Sequence, residues 1–251
     1  MKIYHYTTIE SFCKVWVSKQ LRFSESKNTN DPFERSKPYS LNTLDIEQAK
    51  TFDKIYQEIL GTYRQISFTK NYSLNGRDDG FSSPMMWGHY AHNEAGVCIE
   101  IEQEKLKVPS KTRMRSVRYM DTVPALSFQF QPDMTEEDIK TLIQNHIYEL
   151  FFIKHKHWKF ENEYRMILQT TEESYIPLQN AVTSVIVYST SGVNTDIVKH
   201  IVQEEVPIYA LWNGGYHAQR NLDRIDLKRY NEIMNGEKVV TPTLPKLILK
   251  S

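Results

Sequence analysis

The spacing of apolar residues at the start of the chain predicts a strand followed directly by a helix. Residues 2–6 alternate as a strand that places His5 and Tyr6 on opposite faces. Thr7 and Glu10 then have the spacing of a capping box, and the following apolar residues recur at helical intervals. We therefore expect His5 at the exposed end of a strand, beside the free backbone N–H groups of a helix N-terminus.

The same patterns continue along the rest of the chain. Strands are predicted at residues 21–24, 65–69, 96–101, 182–188 and 206–211. Helices are predicted at residues 42–60, after Ser83 with Pro84 in the first position, after Thr135, and at residues 194–203. This mixture indicates one α+β domain over residues 1–251, with a split, mostly antiparallel sheet and helices around it. Its core is expected within residues 1–235, and residues 236–251 are expected to form an irregular tail.

Composition narrows the class of protein without identifying its function. The 251 residues are 40% hydrophobic and 25% charged, which is usual for a chain that buries a core. The formal net charge is zero, so no global field attracts nucleic acid or membrane. Cys13 and Cys98 form no Cys-x-x-Cys motif, and neither a signal region nor a membrane span is apparent. We expect a cytoplasmic protein that does not contact membrane.

Residues 158–168 hold the strongest candidate for chemistry. In an extended chain, Glu161, Glu163 and Arg165 lie on one side, while Tyr164 and the alternate residues after it face the core. Two carboxylates and a guanidinium beside an apolar layer are costly to bury, so they indicate either a structural ion pair or a functional site. Both interpretations are open from this segment alone.

Other polar clusters give weaker indications. Residues 105–118 contain six basic side chains and no acid, which is typical of a solvated edge or of a phosphate-binding surface. The pairs His155/His157 and His89/His92 have the spacing of metal ligands but lack an evident third ligand, so we predict no metal site. Walker, Gly-x-Gly-x-x-Gly and Gly-x-Ser-x-Gly motifs are absent from the sequence.

Three separate segments together suggest chemistry on a dinucleotide such as NAD. Trp87 and Tyr90 are neighbours on one helical face and could form an aromatic wall for nicotinamide. His5 could hold a ribose hydroxyl, and Glu163 could stabilise the oxocarbenium character that develops as nicotinamide leaves.

The order of several motifs resembles the bacterial family called domain of unknown function 2971. The motifs are His-Tyr-Thr at residues 5–7, Asn-Asp-Pro-Phe-Glu at 30–34, Ser-Phe-Thr at 67–69, Met-Trp-Gly-His-Tyr-Ala at 86–91, Gly-Val-Cys-Ile-Glu at 96–100 and Trp-Lys-Phe-Glu-Asn-Glu-Tyr-Arg at 158–165. The resemblance covers most of the chain and implies a fold more than an activity.

The layout is also similar, more loosely, to the ADP-ribosyltransferase superfamily. This resemblance implies an ADP-ribosyltransferase or NAD glycohydrolase with NAD as substrate, in the role of a toxin or phage-defence effector. The catalytic residues would be Glu163, Glu161 and His5. The NAD-contacting residues would be Tyr6, Thr7, Ser67, Phe68, Trp87, Tyr90 and Arg165, with residues 111–118 as an alternative contact for the phosphates. The sequence departs from that superfamily where Tyr6 replaces a glycine and where Phe68 lies near the place of a middle-strand tyrosine.

The partners and two other functions stay open. The acceptor of the transferred group would be a protein, a nucleic acid or water, and an inhibitor partner is compatible with a toxin. The alternatives are a non-catalytic nucleotide or nucleic-acid binding module that uses residues 105–118, and a metal-dependent nuclease that uses the histidine pairs with Glu161 and Glu163.

Overall fold

Alternating strand segments assemble into one large, mostly antiparallel sheet in the computed structural model of the chain. The structure describes residues 1–32, 34, 46–71, 80–122, 131, 133–188, 192–203, 205–212, 223–226 and 232. The strands are β1 (Lys2–Thr7), β2 (Gln20–Arg22), β3 (Ser24–Glu25), β4 (Tyr63–Lys70), β5 (Val97–Glu102), β6 (Arg113–Ser116), β7 (Arg118–Met120), β8 (Ile153–His155), β9 (Glu163–Gln169), β10 (Tyr175–Pro177), β11 (Val182–Tyr188), β12 (Ile208–Trp212) and β13 (Asp223–Asp226). The nine-stranded sheet has the order β13-β12-β11-β5-β1-β4-β9-β6, and β3 also pairs with β4. Two small sheets pair β2 with β10 and β7 with β8.

Helices cover both faces of the large sheet. They are α1 (Ile9–Ser18), α2 (Ile46–Thr62), α3 (Pro84–Tyr90), α4 (Glu136–Asn145), α5 (Ile147–Phe151) and α6 (Gly192–Val202). On one face, α1 packs its buried Phe12 and Trp16 into the largest apolar cluster. On the other face, Trp87 of α3 belongs to a second cluster, and Ile55 of α2 packs with the buried residues of α4 and α5 in a third. The α+β class and the mostly antiparallel sheet predicted from the sequence are confirmed.

A gap interrupts the centre of this sheet. Strands β1 and β4 pair only at Ile3–Lys70 and Tyr4–Thr69. Farther along the same edge of β4, β3 pairs with Gln65 and Arg64. No described strand pairs with β4 at residues 66–68 on this edge, so a space opens there.

Several predicted boundaries differ from those in the structure. The first strand continues through Thr7, so His5 is not its last residue, and the helix cap is Thr8, whose hydroxyl accepts from the Ser11 N–H at 3.2 Å. The Thr7–Glu10 capping box is therefore wrong by one residue. The Thr135 cap is confirmed. The apolar residues after it recur at helical spacing as far as Phe151 and predict one long helix, but the structure divides this segment into two helices at His146.

Some predictions concern residues outside the described ranges, and the predicted lack of a membrane span can be examined only within those ranges. The irregular tail at residues 236–251 and the start of the predicted helix at residues 42–45 lie outside the described ranges. Among the helices within those ranges, none combines the length and the apolar character needed to span a bilayer.

Candidate functional site

The gap between β1 and β4 contains a cavity of about 270 Å³, which we call the gap cavity. Its wall brings together strand residues from three distant parts of the chain, one helix and the loop after β3. The lining residues are Tyr4, His5, Tyr6, Arg22, Ser24, Glu25, Asn28, Thr29, Asn30, Glu34, Gln65, Ile66, Ser67, Phe68, Thr69, Met86, Tyr90, Lys154, Glu161 and Glu163.

Glu163 begins β9 and is held by ionic and neutral donors. The Arg165 guanidinium donates from Nε and Nη2 to the two carboxylate oxygens, at 2.6 and 2.7 Å. Ser67 Oγ donates to Oε1 at 2.6 Å, and Lys154 Nζ lies 3.0 Å from Oε2. Burial would raise the pKa of Glu163, but the charges of Arg165 and Lys154 outweigh it and hold that pKa well below its usual range. Glu163 is therefore an ionised carboxylate at neutral pH.

Glu34 and Lys154, two buried side chains that were not predicted as site residues, complete this ionic cluster. Glu34 accepts a hydrogen bond from Arg165 Nη1, and the Lys154 ammonium lies between Glu34, Glu161 and Glu163. Five ionisable side chains are thus buried together, three acids and two bases, so the fully ionised cluster is net negative. Glu34 is the last residue of the Asn-Asp-Pro-Phe-Glu motif at residues 30–34, but nothing in the local sequence indicates that its carboxylate is buried.

Glu161 lies in a different environment from Glu163. It ends a 3₁₀ turn, Lys156–Glu161, and the left-handed Asn162 then redirects the chain into β9. Its Oε1 accepts from the Tyr90 hydroxyl and its Oε2 accepts from Lys154 Nζ at 2.8 Å. Burial raises the pKa of the Glu161 carboxyl above its ordinary value, although the Lys154 ammonium acts in the opposite direction. Burial and the adjacent Glu161 charge also raise the pKa of Tyr90, which keeps its hydroxyl protonated as a donor.

His5 faces the same cavity from β1. Its Nδ1 lies 3.3 Å from the Ser67 carbonyl oxygen, which can only accept, so Nδ1 carries the proton and Nε2 of the neutral ring is an acceptor. Burial lowers the pKa of the His5 imidazole, and the hydrogen bond to Ser67 opposes this only in part. Ser67 connects the two groups, because its carbonyl oxygen accepts from His5 and its hydroxyl donates to Glu163. The strand registers place the two side chains on opposite faces of the sheet, His5 with Phe68 and Glu163 with Ser67, so they approach each other only through the gap.

Two threonine hydroxyls at the wall have no hydrogen-bond partner among the described residues. Oγ1 of Thr29 and Oγ1 of Thr69 are both buried from solvent. A buried hydroxyl without a partner costs free energy, so each favours a polar group that enters the cavity.

Of the other predicted site residues, some line the gap cavity and the rest lie in the protein core. Tyr6 and Phe68 line the cavity, but the Tyr6 hydroxyl donates to the Gly80 carbonyl at 2.8 Å. Thr7, Trp87 and Arg165 do not line it. Trp87 is fully buried and donates its indole N–H to the Phe81 carbonyl at 2.8 Å. The structure therefore corrects the predicted contacts of Trp87 with nicotinamide and of Arg165 with phosphates, because both side chains are buried against protein groups.

The basic segment and the histidine pairs lie elsewhere. None of residues 105–118 lines the gap cavity, which corrects their predicted contact with the phosphates of a nucleotide bound there. The described residues contain no group of three or more His, Cys, Asp and Glu side chains placed to hold a metal ion. The histidine pairs therefore acquire no third ligand within those ranges.

Comparison with known proteins supports the family resemblance and adds no activity. Residues 86–166 match the model of a family described as "Protein of unknown function (DUF2971)", which confirms the predicted resemblance over that segment. No curated protein and no solved structure matches the chain. The matched segment includes Tyr90, Lys154, Glu161, Glu163 and Arg165, whereas His5, Glu34 and Ser67 precede it.

Proposed function

We propose that the protein cleaves the N-glycosidic bond between nicotinamide and ribose in NAD, as an ADP-ribosyltransferase or an NAD glycohydrolase. The observation that carries this proposal is the meeting of His5, Tyr90 and the Glu161–Glu163 pair at one cavity in the centre of the sheet. The gap between the two central strands also supports the looser resemblance to the ADP-ribosyltransferase superfamily. In this proposal the gap cavity encloses the nicotinamide riboside half of the dinucleotide.

The two carboxylates have different roles because their surroundings separate their pKa values. Glu163 has a lowered pKa, so it supplies a fixed negative charge that stabilises the ribosyl oxocarbenium as nicotinamide leaves. Glu161 has a raised pKa and serves as the base that takes the proton of the attacking acceptor. The C1′–N bond breaks, nicotinamide leaves with the bonding electron pair, and the acceptor oxygen or nitrogen bonds to C1′ and releases its proton.

Other wall residues orient the substrate. The acceptor nitrogen Nε2 of His5 can hold a ribose hydroxyl, and the unpartnered hydroxyls of Thr29 and Thr69 can meet further polar groups. The Tyr90 ring forms one wall of the cavity, where nicotinamide can pack. Arg22 lines the cavity and is exposed, and its guanidinium lies 3.5 Å from the exposed Glu173 carboxylate. A phosphate that replaces this surface partner would receive the contact that the buried Arg165 is not placed to make.

The biological setting belongs to the same proposal. An enzyme that consumes NAD, or that attaches ADP-ribose to a protein or nucleic acid, fits a toxin or a phage-defence effector. Such an effector would require an inhibitor partner in the cell that produces it.

The decisive measurement is release of free nicotinamide from NAD by the purified chain, followed by chromatography, with and without protein and RNA acceptors. We expect release by the wild type and a decrease of about 10²–10⁴-fold in Glu161→Gln, because the carboxylate base is lost. Glu163→Gln should also lose turnover. It leaves Arg165 partly uncompensated, so its fold must be measured in parallel by circular dichroism and urea unfolding.

Glu10→Gln is the matched control because it removes a surface carboxylate that pairs with Lys14 on α1 and does not line the gap cavity. It should turn over NAD at the wild-type rate. Undiminished turnover by a folded Glu163→Gln variant, or no nicotinamide release by the wild type with any acceptor, would refute the proposal.

A further inference from the structure

A second cavity, distinct from the gap cavity, lies between helix α4 and the outer strands of the sheet. It has a volume of about 640 Å³ and shares no lining residue with the gap cavity. We call it the basic cavity. It is lined by Tyr63, Ser110, Lys111, Thr112, Arg113, Glu137, Lys140, Thr141, Gln144, Ile147, Ile167 and Gln169. Its volume lies within the range of roughly 300–1,000 Å³ that is typical of small-molecule sites.

Among the described residues that line this cavity, three are cations and one is an acid. Lys111 and Lys140 have no ion-pair partner among the described residues, and neither does Arg113. Arg113 is positioned by a hydrogen bond from its Nη2 to Gln144 Oε1 at 3.0 Å, which uses one of the five N–H donors of its guanidinium. The single acid is Glu137, on the first turn of α4. This excess of positive charge favours an anionic ligand.

A buried hydroxyl adds an independent indication. Thr112 Oγ1 is shielded from solvent and has no hydrogen-bond partner among the described residues, although Thr112 lines the cavity. The backbone around it is fixed, because the Thr112 N–H donates to the Pro109 carbonyl at 2.9 Å and closes the turn that presents Lys111. An oxygen of a bound anion would satisfy this hydroxyl.

Gln144 makes the floor of the cavity rigid. Its amide nitrogen lies 2.9 Å from the Tyr63 hydroxyl and 2.7 Å from Gln169 Oε1, while its carbonyl oxygen accepts from Arg113. This side chain joins α4 to β4, β9 and β6 at one point. The arginine is therefore held in place before any ligand arrives, which lowers the entropic cost of binding.

We propose that the basic cavity binds the phosphate groups of a small phosphorylated ligand of nucleotide size. Lys111 and Lys140 supply charge, Arg113 supplies a planar fork that matches a phosphate, and Thr112 supplies a hydroxyl donor. Basic residues on an edge strand also discourage pairing with other chains, but that purpose requires neither a cavity nor a buried hydroxyl without a partner. This site is independent of the proposed cleavage of NAD.

Its test is isothermal titration of the purified chain with pyrophosphate and with ADP at low ionic strength. We expect both to bind, and we expect Lys111→Gln and Lys140→Gln each to weaken binding by about tenfold, because each removes a charge-assisted contact. Thr112→Val should weaken binding by about fivefold without lowering the melting temperature, because the hydroxyl it removes has no hydrogen-bond partner within the described ranges.

Lys107→Gln is the matched control, since Lys107 is an exposed lysine of the same loop that does not line the cavity. It should bind both probes as the wild type does. If Lys107→Gln and Lys111→Gln lowered the affinity for the probes equally, binding would depend on the overall positive charge of the loop and not on the cavity. That result would overturn the proposal. Absence of binding to both probes at millimolar concentration, or binding of single-stranded RNA alone, would also overturn it.

Discussion

At the residue scale, the molecule depends on a buried arginine that contacts two acids and a main-chain carbonyl. Arg165 is 1% exposed, and it donates to Glu163, to Glu34 and to the Phe151 carbonyl. Removal of one member of a buried ionic group leaves the opposite charge uncompensated, which costs more than the intact group contributes.

Arg165→Met should therefore destabilise the fold by about 3–5 kcal/mol, because Glu163 and Glu34 would lose their main cationic partner. Arg165→Lys should cost less, since it keeps the charge and loses only the planar fork. Urea unfolding followed by circular dichroism measures both. Arg118→Met, at an exposed arginine of β7, should stay within about 0.5 kcal/mol of wild type. Similar losses of unfolding free energy in Arg165→Met and Arg118→Met would show that the buried ionic cluster does not determine stability.

His5 should make stability depend on pH in the mildly acidic range. Its pKa in the folded chain is lowered from 6.5, so the folded state resists a proton that the unfolded state accepts. The His5 contribution is thus fully present above pH 6.5 and is lost as pH falls through the folded pKa, with a slope of at most about 1.4 kcal/mol per pH unit. Unfolding free energies at pH 7.5 and 5.5 should differ less in His5→Gln than in wild type. His200 is exposed, so the control variant His200→Gln should show the same difference in unfolding free energy between the two pH values as the wild type.

At the element scale, a tight turn sets the position of α3 and hence of Tyr90. Residues His92, Asn93 and Glu94 all have positive φ angles, and the Gly96 N–H donates to the Ala91 carbonyl at 2.7 Å. A Cβ atom on Gly96 would lie 2.2 Å from the Thr7 carbonyl oxygen and 2.9 Å from Ala91 Cα. Both neighbours are backbone, so the turn could not relax by moving a side chain.

Gly96→Ala should destabilise the chain by about 3 kcal/mol and lower any activity that depends on Tyr90, because α3 would shift away from β1. Thermal unfolding and the nicotinamide assay measure the two effects. Gly88→Ala is the matched control within α3, since nothing lies within 4 Å of its added Cβ. That substitution should raise stability by roughly 0.5–1 kcal/mol. A neutral Gly96→Ala would contradict the assigned role of the turn.

Local patterns predicted elements well where one physical signal dominated. The alternation in residues 182–188 and the Thr135 cap with Asp138 both appear in the structure, because strand periodicity and capping are local properties. The first helix was misplaced because Thr7 and Thr8 offer equivalent caps, and pairing of Thr7 with Val97 in β5 decides between them. The helix after Thr135 ends at His146, whose φ and ψ of −112° and 21° are not helical, and no glycine or proline marks that break.

The candidate site was predictable only in part for a related reason. His5, Tyr90 and Glu163 were chosen by residue type and position, and they do line one cavity. Glu34 and Lys154 were missed because their burial depends on contacts distant in sequence, and nothing local distinguishes them from surface charges. Trp87 was assigned to a wall because an amphipathic helix shows which residues share a face but not which face is covered.

At the scale of the whole molecule, the sheet consists of two parts joined by a narrow seam. Strand β1 pairs with β5 at six residues but with β4 at two. In an antiparallel strand the N–H and C=O of one residue point to the same side, so the Ser67 N–H faces the gap, as its carbonyl does. The two parts are therefore less firmly coupled here than at any neighbouring strand pair.

Amide hydrogen exchange should reveal this seam. The Ser67 amide should exchange at least about tenfold faster than those of Ile66 and Phe68, whose N–H groups point toward β9. Residue-resolved exchange by NMR measures the ratio. Equal protection at the three positions would show that the gap is closed in solution.

The small size of the gap cavity has a consequence for the choice of laboratory substrate. At about 270 Å³ it lies just below the usual range for ligand sites, and one end of a dinucleotide would fill it. For an NAD substrate, the adenine base would stay in solvent beyond Arg22. Analogues that carry a fluorophore or an affinity handle on that base would then be accepted almost as well as NAD. Labelled acceptors could therefore be recovered directly from a cell extract.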